Sequence, residues 1–179
     1  RLSDADSTAV LVKNTSDAAT DITLTSYGVP EVSPPAGGYG YTLNRRYFTM
    51  EGVAVEGPVA AGTRIVAVLS VQPFEKIGAR LLIDDPLPGG FEIDNSNLLA
   101  SGAVDALDWL KTVDPQNVEF RADRFIAAVD YTGTDAFQLA YVVRAITPGE
   151  YHHPAALVTD MYRPEYRAVT ETTRLTVTP

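Results

Sequence analysis

The sequence predicts an all-β fold, an antiparallel two-sheet β-sandwich with one short helix carried in a long strand connection. Three observations support this. Segments of strand length with alternating apolar and polar residues recur about eight or nine times. The 13 Gly and 12 Pro fall mostly between them. Helical spacing occurs in one stretch only. At 179 residues and 45% hydrophobic, the chain can bury a sizeable core without crosslinks. Residues 1–179 therefore read as a single sandwich domain, with an inserted loop and short helix at about 85–116.

The elements follow in chain order. Thr8–Lys13 and Asp21–Tyr27 alternate as strands, and Ser33-Pro34-Pro35-Ala36-Gly37-Gly38 reads as a surface loop. Tyr39–Met50 is the next strand. In Thr63–Val71, Ile65, Ala67, Leu69 and Val71 point one way and Val66 and Val68 the other. Both faces are apolar, which marks a central strand. Ala79–Asp84 follows, then Asp85-Pro86-Leu87-Pro88-Gly89-Gly90, a turn in which Pro fixes φ and Gly supplies φ > 0. Ala103, Leu107 and Leu110 recur at helical spacing, with Ala106 and Trp109 widening the apolar side. In Asn117–Tyr131 the apolar phase switches between Val118/Phe120 and Phe125/Ala127/Val129/Tyr131, which calls for a bulge or bend between Arg121 and Arg124. Phe137–Ala145 alternates cleanly and should line the core. Gly149–Met161 and Arg167–Val177 complete the set.

Net charge is −9, and the 14 Lys and Arg are scattered. Nucleic acid and anionic membrane surfaces are therefore poor partners, since both draw affinity from clustered cations. No apolar run is long enough to span a bilayer. A sequence that starts at Arg1 without an initiator Met reads as a piece of a longer chain, with any leader or anchor lying upstream. The absence of Cys excludes disulfides, thiolate metal sites and Cys nucleophiles in these residues.

Candidate chemistry is thin. His152 and His153 are adjacent in a strand, so they point to opposite faces and cannot share a metal; a solvent-facing or capping role fits them better. Glu92 and Asp94 would share a strand face at a separation glycosidases use, but the single Trp leaves no sugar-stacking platform. Glu92-x-Asp94-x-Ser96 also begins like a calcium loop and fails at Asn97 and Ala103. No Gly-rich phosphate cradle or nucleophile elbow is present. The reading is of a non-enzyme with no catalytic residue, metal or cofactor.

What stands out is Tyr, Met and Arg, the residues enriched at protein interfaces. Tyr39, Tyr41, Arg45, Arg46 and Tyr47 form one stretch, and Tyr151, Met161, Tyr162, Arg163 and Tyr166 another. These are the candidate inter-domain contacts, with burial in the core as the competing role for any single Tyr.

Several ordered motifs carry a family likeness: Asp85-Pro86-Leu87-Pro88-Gly89-Gly90-Phe91-Glu92 with Asn97-Leu98, Val118–Ala128, and Tyr141-Val142-Val143-Arg144-Ala145-Ile146-Thr147-Pro148-Gly149-Glu150-Tyr151. Pro154, Val158, Met161-Tyr162-Arg163-Pro164 and Thr170 continue it, and Leu43–Phe48 and Gly62–Val71 extend it towards the start. Together they resemble the last, macroglobulin-like domain of bacterial alpha-2-macroglobulins. The resemblance implies an immunoglobulin-like sandwich at the C-terminus of a large periplasmic protease trap, leaving open a lipid anchor on the parent. It also implies docking against neighbouring domains, such as the thioester-containing domain, and contact with target proteases through the intact parent. A free-standing carbohydrate-binding or adhesive sandwich is the alternative.

Overall fold

The computed structural model describes residues 11–25, 27, 32–76, 78–94, 110 and 112–179. The chain divides into two units, Arg1–Glu31 and Val32–Pro179. In the first, residues 11–25 and Tyr27 are exposed and include no strand. The strands expected at Thr8–Lys13 and Asp21–Tyr27 are thus missing from the described part of those stretches. An alternating pattern makes a strand only where a second layer covers its apolar side.

The second unit is an all-β sandwich. Its strands are β1 (Gly37–Tyr39), β2 (Tyr41–Thr49), β3 (Val59–Ala60), β4 (Arg64–Pro73), β5 (Ala79–Pro86), β6 (Phe91–Ile93), β7 (Asn117–Phe120), β8 (Arg124–Tyr131), β9 (Phe137–Ala145), β10 (Gly149–His153), β11 (Leu157–Asp160), β12 (Arg167–Val169) and β13 (Thr173–Thr178). They form a six-stranded sheet in the order β1-β12-β11-β5-β8-β7, a four-stranded sheet β2-β4-β9-β6 and a three-stranded sheet β10-β13-β3. Every pairing is antiparallel except β13 with β3.

The core follows the predicted phases. Ile65, Ala67, Leu69 and Val71 of β4 and Phe137, Leu139, Tyr141, Val143 and Ala145 of β9 pack against Leu81, Ile83, Phe125, Ala127 and Val129 of the six-stranded sheet. The Phe125 and Tyr141 rings stack across the layers at 4.4 Å. On the opposite face of the four-stranded sheet Phe48, Val66, Val68 and Val142 form a second buried cluster, with Met50, Ala140 and Leu110 packed on it. That cluster is why β4 is apolar on both sides. The rest of the predicted helix around Ala103–Lys111 lies outside the described residues, and among the described residues there is no helix.

Four expected segments are reshaped. Asn117–Tyr131 is not one bulged strand but the β7–β8 hairpin, closed where the Arg121 N–H donates to the Arg124 carbonyl at 2.9 Å. A full chain reversal at the place expected for a bulge or bend shifts the phase. Tyr39–Met50 breaks at Gly40, where the chain passes from the six-stranded to the four-stranded sheet with φ +79°. Gly149–Met161 divides into β10 and β11, and Arg167–Val177 into β12 and β13, with the halves again in different sheets.

These last two segments pair throughout in one register, from Gly149↔Val177 and His153↔Thr173 to Leu157↔Val169 and Thr159↔Arg167. They form a single two-stranded ribbon bent from one layer into the other. At the bend the Thr170 Oγ1 accepts the Ala156 N–H at 2.9 Å, and the Thr170 N–H donates to the Ala156 carbonyl at 3.0 Å. The ladder's hydrogen bonding is thereby kept through the corner.

Tyr151 secures the start of the ribbon. Its hydroxyl donates to the Thr147 carbonyl at 2.9 Å, and its ring lies so close over Gly89 and Gly90 that a Cβ on Gly90 would overlap it. This close approach explains Gly90, whereas neither Gly89 nor Gly90 takes the positive φ expected of the Pro-rich turn. Gly90→Ala should destabilise the sandwich by about 1–3 kcal/mol through forced displacement of that ring. Gly37→Ala, with open space around it, should change stability by less than about 0.5 kcal/mol. Urea unfolding of the two variants measures the difference.

Candidate functional site

The ten candidate contact residues do not form one surface. Tyr41 is 4% exposed and the Arg45 side chain also 4%. Both belong to the interior, which corrects their expected surface placement: in β2 they share the inward phase with Leu43. Tyr47 is half-buried on the same side, Arg46 is exposed on the other, and Tyr151 packs on the Gly89-Gly90 turn. The remaining five, Tyr39, Met161, Tyr162, Arg163 and Tyr166, gather at the tip of the bent ribbon.

The tip is the loop between β11 and β12, and a buried carboxylate organises it. Asp160 is 1% exposed. Its Oδ1 accepts the N–H groups of Tyr162 and Arg163 at 2.9 and 3.3 Å, and its Oδ2 accepts from the Arg163 guanidinium at 2.8 Å. Arg163 also donates to the Gly78 carbonyl at 3.0 Å and lies over the Tyr166 ring at 5.1 Å. The Met161 N–H donates to the Arg80 carbonyl at 2.8 Å. The Tyr166 ring packs against Tyr39 at 4.9 Å and covers Gly40 so closely that a Cβ there would overlap it.

Beneath the tip lies Tyr41, whose hydroxyl is pushed above its ordinary value first by burial and then by the Asp160 carboxylate. Phe74 is tied alongside by its N–H to the Gly40 carbonyl at 3.0 Å. The exposed side chains here include four large apolar ones, Met161 at 51%, Tyr162 at 75%, Tyr39 at 62% and Phe74 at 58%, beside the charged Glu165 and Arg167. An open groove lined by Pro34, Pro35, Tyr39, Pro164 and Arg167 runs beside them. Chemically, this arrangement can bind an apolar partner; it brings together no nucleophile and base.

The second concentration of polar groups lies in the core. Arg45 bonds the Asp85 carboxylate at 2.5 Å and the Pro154 carbonyl at 2.8 Å, while the Tyr141 hydroxyl donates to the other Asp85 oxygen at 2.7 Å. Beside it the Tyr47 hydroxyl meets His153 Nε2 at 3.0 Å, and His153 Nδ1 lies 3.4 Å from Thr173 Oγ1. Burial raises the Asp85 carboxyl, opposed by Arg45 and the Tyr141 hydrogen bond. Burial raises both tyrosine hydroxyls, with the Asp85 charge next. His153 is 2% exposed, and burial followed by the Arg45 charge holds its imidazole down at about 3. The expected solvent-facing role is met by His152 alone.

Sequence reading missed Asp85, Asp160, Tyr141 and Phe74 as site-building residues. One signal was available: Asp85 continues the inward phase of Leu81 and Ile83. Glu92 and Asp94 are held separately, Glu92 by Arg144 at 2.5 Å and Asp94 by Arg64 at 2.6 Å.

The His153 arrangement makes stability pH-dependent. An imidazole held at about 3 in the fold and near 6.5 when unfolded binds its proton only in the unfolded chain as pH falls between these values. Stability then drops with pH. Asp85, raised in the fold, acts in the opposite sense as pH falls through its raised value. Between pH 7 and pH 5 the protein should lose about 1–2 kcal/mol more stability than His153→Gln, read from urea midpoints at the two pH values.

The chain matches the family model described as the bacterial alpha-2-macroglobulin MG10 domain over residues 40–165. An alpha-2-macroglobulin of Xylella fastidiosa is 36% identical over 160 residues, covering 84% of this chain and 10% of that protein. The native conformation of Escherichia coli alpha-2-macroglobulin superposes with a TM-score of 0.76 at 28% identity, covering 85% of this chain and 10% of that one. The trypsin-activated Escherichia coli protein gives 0.73 at 29% identity, covering 85% and 11%. The chain spans about a tenth of the length of these curated relatives.

Proposed function

Because the chain belongs to the MG10 domain family of bacterial alpha-2-macroglobulins, we propose that it is the C-terminal, non-catalytic domain of a periplasmic broad-spectrum protease inhibitor. It docks against neighbouring domains of the parent polypeptide, such as the thioester-containing domain or its degenerate equivalent. There it shields the reactive region before a protease cuts the bait and is repositioned afterwards.

The observation that carries this reading is the ribbon tip. Met161 and Tyr162 project from a loop held by Asp160, Arg80 and Arg163, so their order precedes binding and little conformational freedom is lost on contact. The chain's near-equal likeness to a native and a trypsin-activated alpha-2-macroglobulin, TM-scores 0.76 and 0.73, supports movement as a rigid body about an interface. Contact through a small, largely apolar tip whose Arg163 is paired with its own Asp160 suits an interface that must later open.

Met161→Ala and Tyr162→Ala should each weaken association with the adjoining parent domains by about tenfold or more. Being exposed, they should move the chain's own stability by less than about 0.5 kcal/mol. Titration calorimetry and urea unfolding separate the two effects. Deleting the domain from the parent should leave bait cleavage intact and impair protease trapping. A deletion that traps as well as the intact molecule overturns the docking role.

A further inference from the structure

We propose that Met161 is a site of reversible oxidation, at which conversion of its thioether to a sulfoxide releases the tip from its partner; the inference rests on the docking role above. The chain has no Cys and two Met. Met50 is packed on the Phe48, Val66, Val68 and Val142 cluster. Met161 is 51% exposed, and the loop fixes it there. Its N–H is held by the Arg80 carbonyl and the next two N–H groups by Asp160, so the loop backbone that carries the side chain is held in place. Met161 is the one sulfur that this domain offers to an oxidant at its contact surface.

The co-reactant is a two-electron oxygen donor of the peroxide class. A thioether lone pair attacks one peroxide oxygen and the O–O bond breaks. An S–O bond forms, and the departing hydroxide takes the proton from the new S–OH group to leave as water. Sulfur loses two electrons and the peroxide gains two. A sulfoxide reductase reverses the change.

The product is a strong hydrogen-bond acceptor in place of an apolar group. The two cations bonded to the tip loop are engaged, Arg163 with Asp160 and Gly78, and Arg80 with Asp130. A partner shaped to cover a thioether therefore leaves the new oxygen without a donor, a penalty equivalent to about tenfold or more in affinity. Docking hides the sulfur, and oxidation disfavours docking by the same coupling. An oxidant consequently marks the undocked state and holds it there.

The test exposes the chain to graded hydrogen peroxide and follows both methionines by peptide mass spectrometry. Met161 should oxidise well before Met50, with the unfolding midpoint unchanged. The oxidised chain and Met161→Gln should each bind the adjoining parent domains about tenfold more weakly than untreated chain. Met161→Leu should bind normally and be indifferent to peroxide. If Met161 reacts no faster than Met50, or the Leu variant loses binding on treatment, the oxidation site is overturned while the docking role stands. If Met161→Gln binds as tightly as the untreated chain, it is the docking role that fails.

Discussion

The arrangement of the sandwich depends on one buried ion pair. Arg45 of the four-stranded sheet and Asp85 of the six-stranded sheet meet with 4% and 0% of their side chains exposed, and the guanidinium also holds the Pro154 carbonyl beyond β10 of the three-stranded sheet. Removing two charges from water costs several kcal/mol each unless their hydrogen bonds are replaced. Here Asp85 receives Arg45 on one oxygen and Tyr141 on the other. Apolar strands tolerate a slipped register as long as some hydrophobic residue fills each site. Slipping β2 by two positions would keep its apolar face inward but bring Leu43 or Tyr47 opposite Asp85 in place of Arg45, leaving the buried carboxyl without its guanidinium. The pair therefore selects one alignment of the three sheets among many that would bury similar area.

That alignment determines where the bent ribbon points. The Pro154 carbonyl sits at the ribbon's corner, next to Ala156 and its partner Thr170. Tyr47 and His153 join the same β2 and β10 segments a few residues away, and Tyr151 fixes the ribbon's start on the Gly89-Gly90 turn. From this anchored corner β11 and β12 run on in unbroken register to the Met161–Tyr166 loop. Because the core is built from fully used hydrogen bonds and close packing, displacement of the tip relative to the core is costly. A partner that pulls on the tip moves the domain as a whole.

The strand phases were legible in the sequence. β4 and β9 bury the residues that alternation assigned to the core, because period two is a property of the extended backbone itself. The layer changes at Gly40, Pro154 and Thr170 were not legible. Both halves of each segment bury against the same core, so alternation continues through the corner and reads as one longer strand. Phase also placed Arg45 and Asp85 inward, while their charge argued for the surface; only the partner from another sheet, 40 positions away in sequence, resolves that conflict. The tip was legible as composition, since Met161, Tyr162, Arg163 and Tyr166 are interface-type residues. Its construction on Asp160 was not, because a carboxylate that caps its own loop looks in sequence like any solvated acid.

The core and the tip place opposite demands on polar groups, and the chain meets both with the same device. In the core, Arg45 is matched to Asp85 so that a charge can stay buried; at the tip, Arg163 is matched to Asp160 and Arg80 to Asp130, which leaves Glu165 and Arg167 as the exposed charges at its edge. An unpaired base beneath the apolar side chains would add a desolvation penalty on contact. Pairing Arg163 and Arg80 within the fold lets Met161 and Tyr162 contribute area without a desolvation penalty from those two cations. A contact made this way draws on apolar area more than on charge pairs, which makes it weak per residue and readily reopened, as the proposed docking role requires.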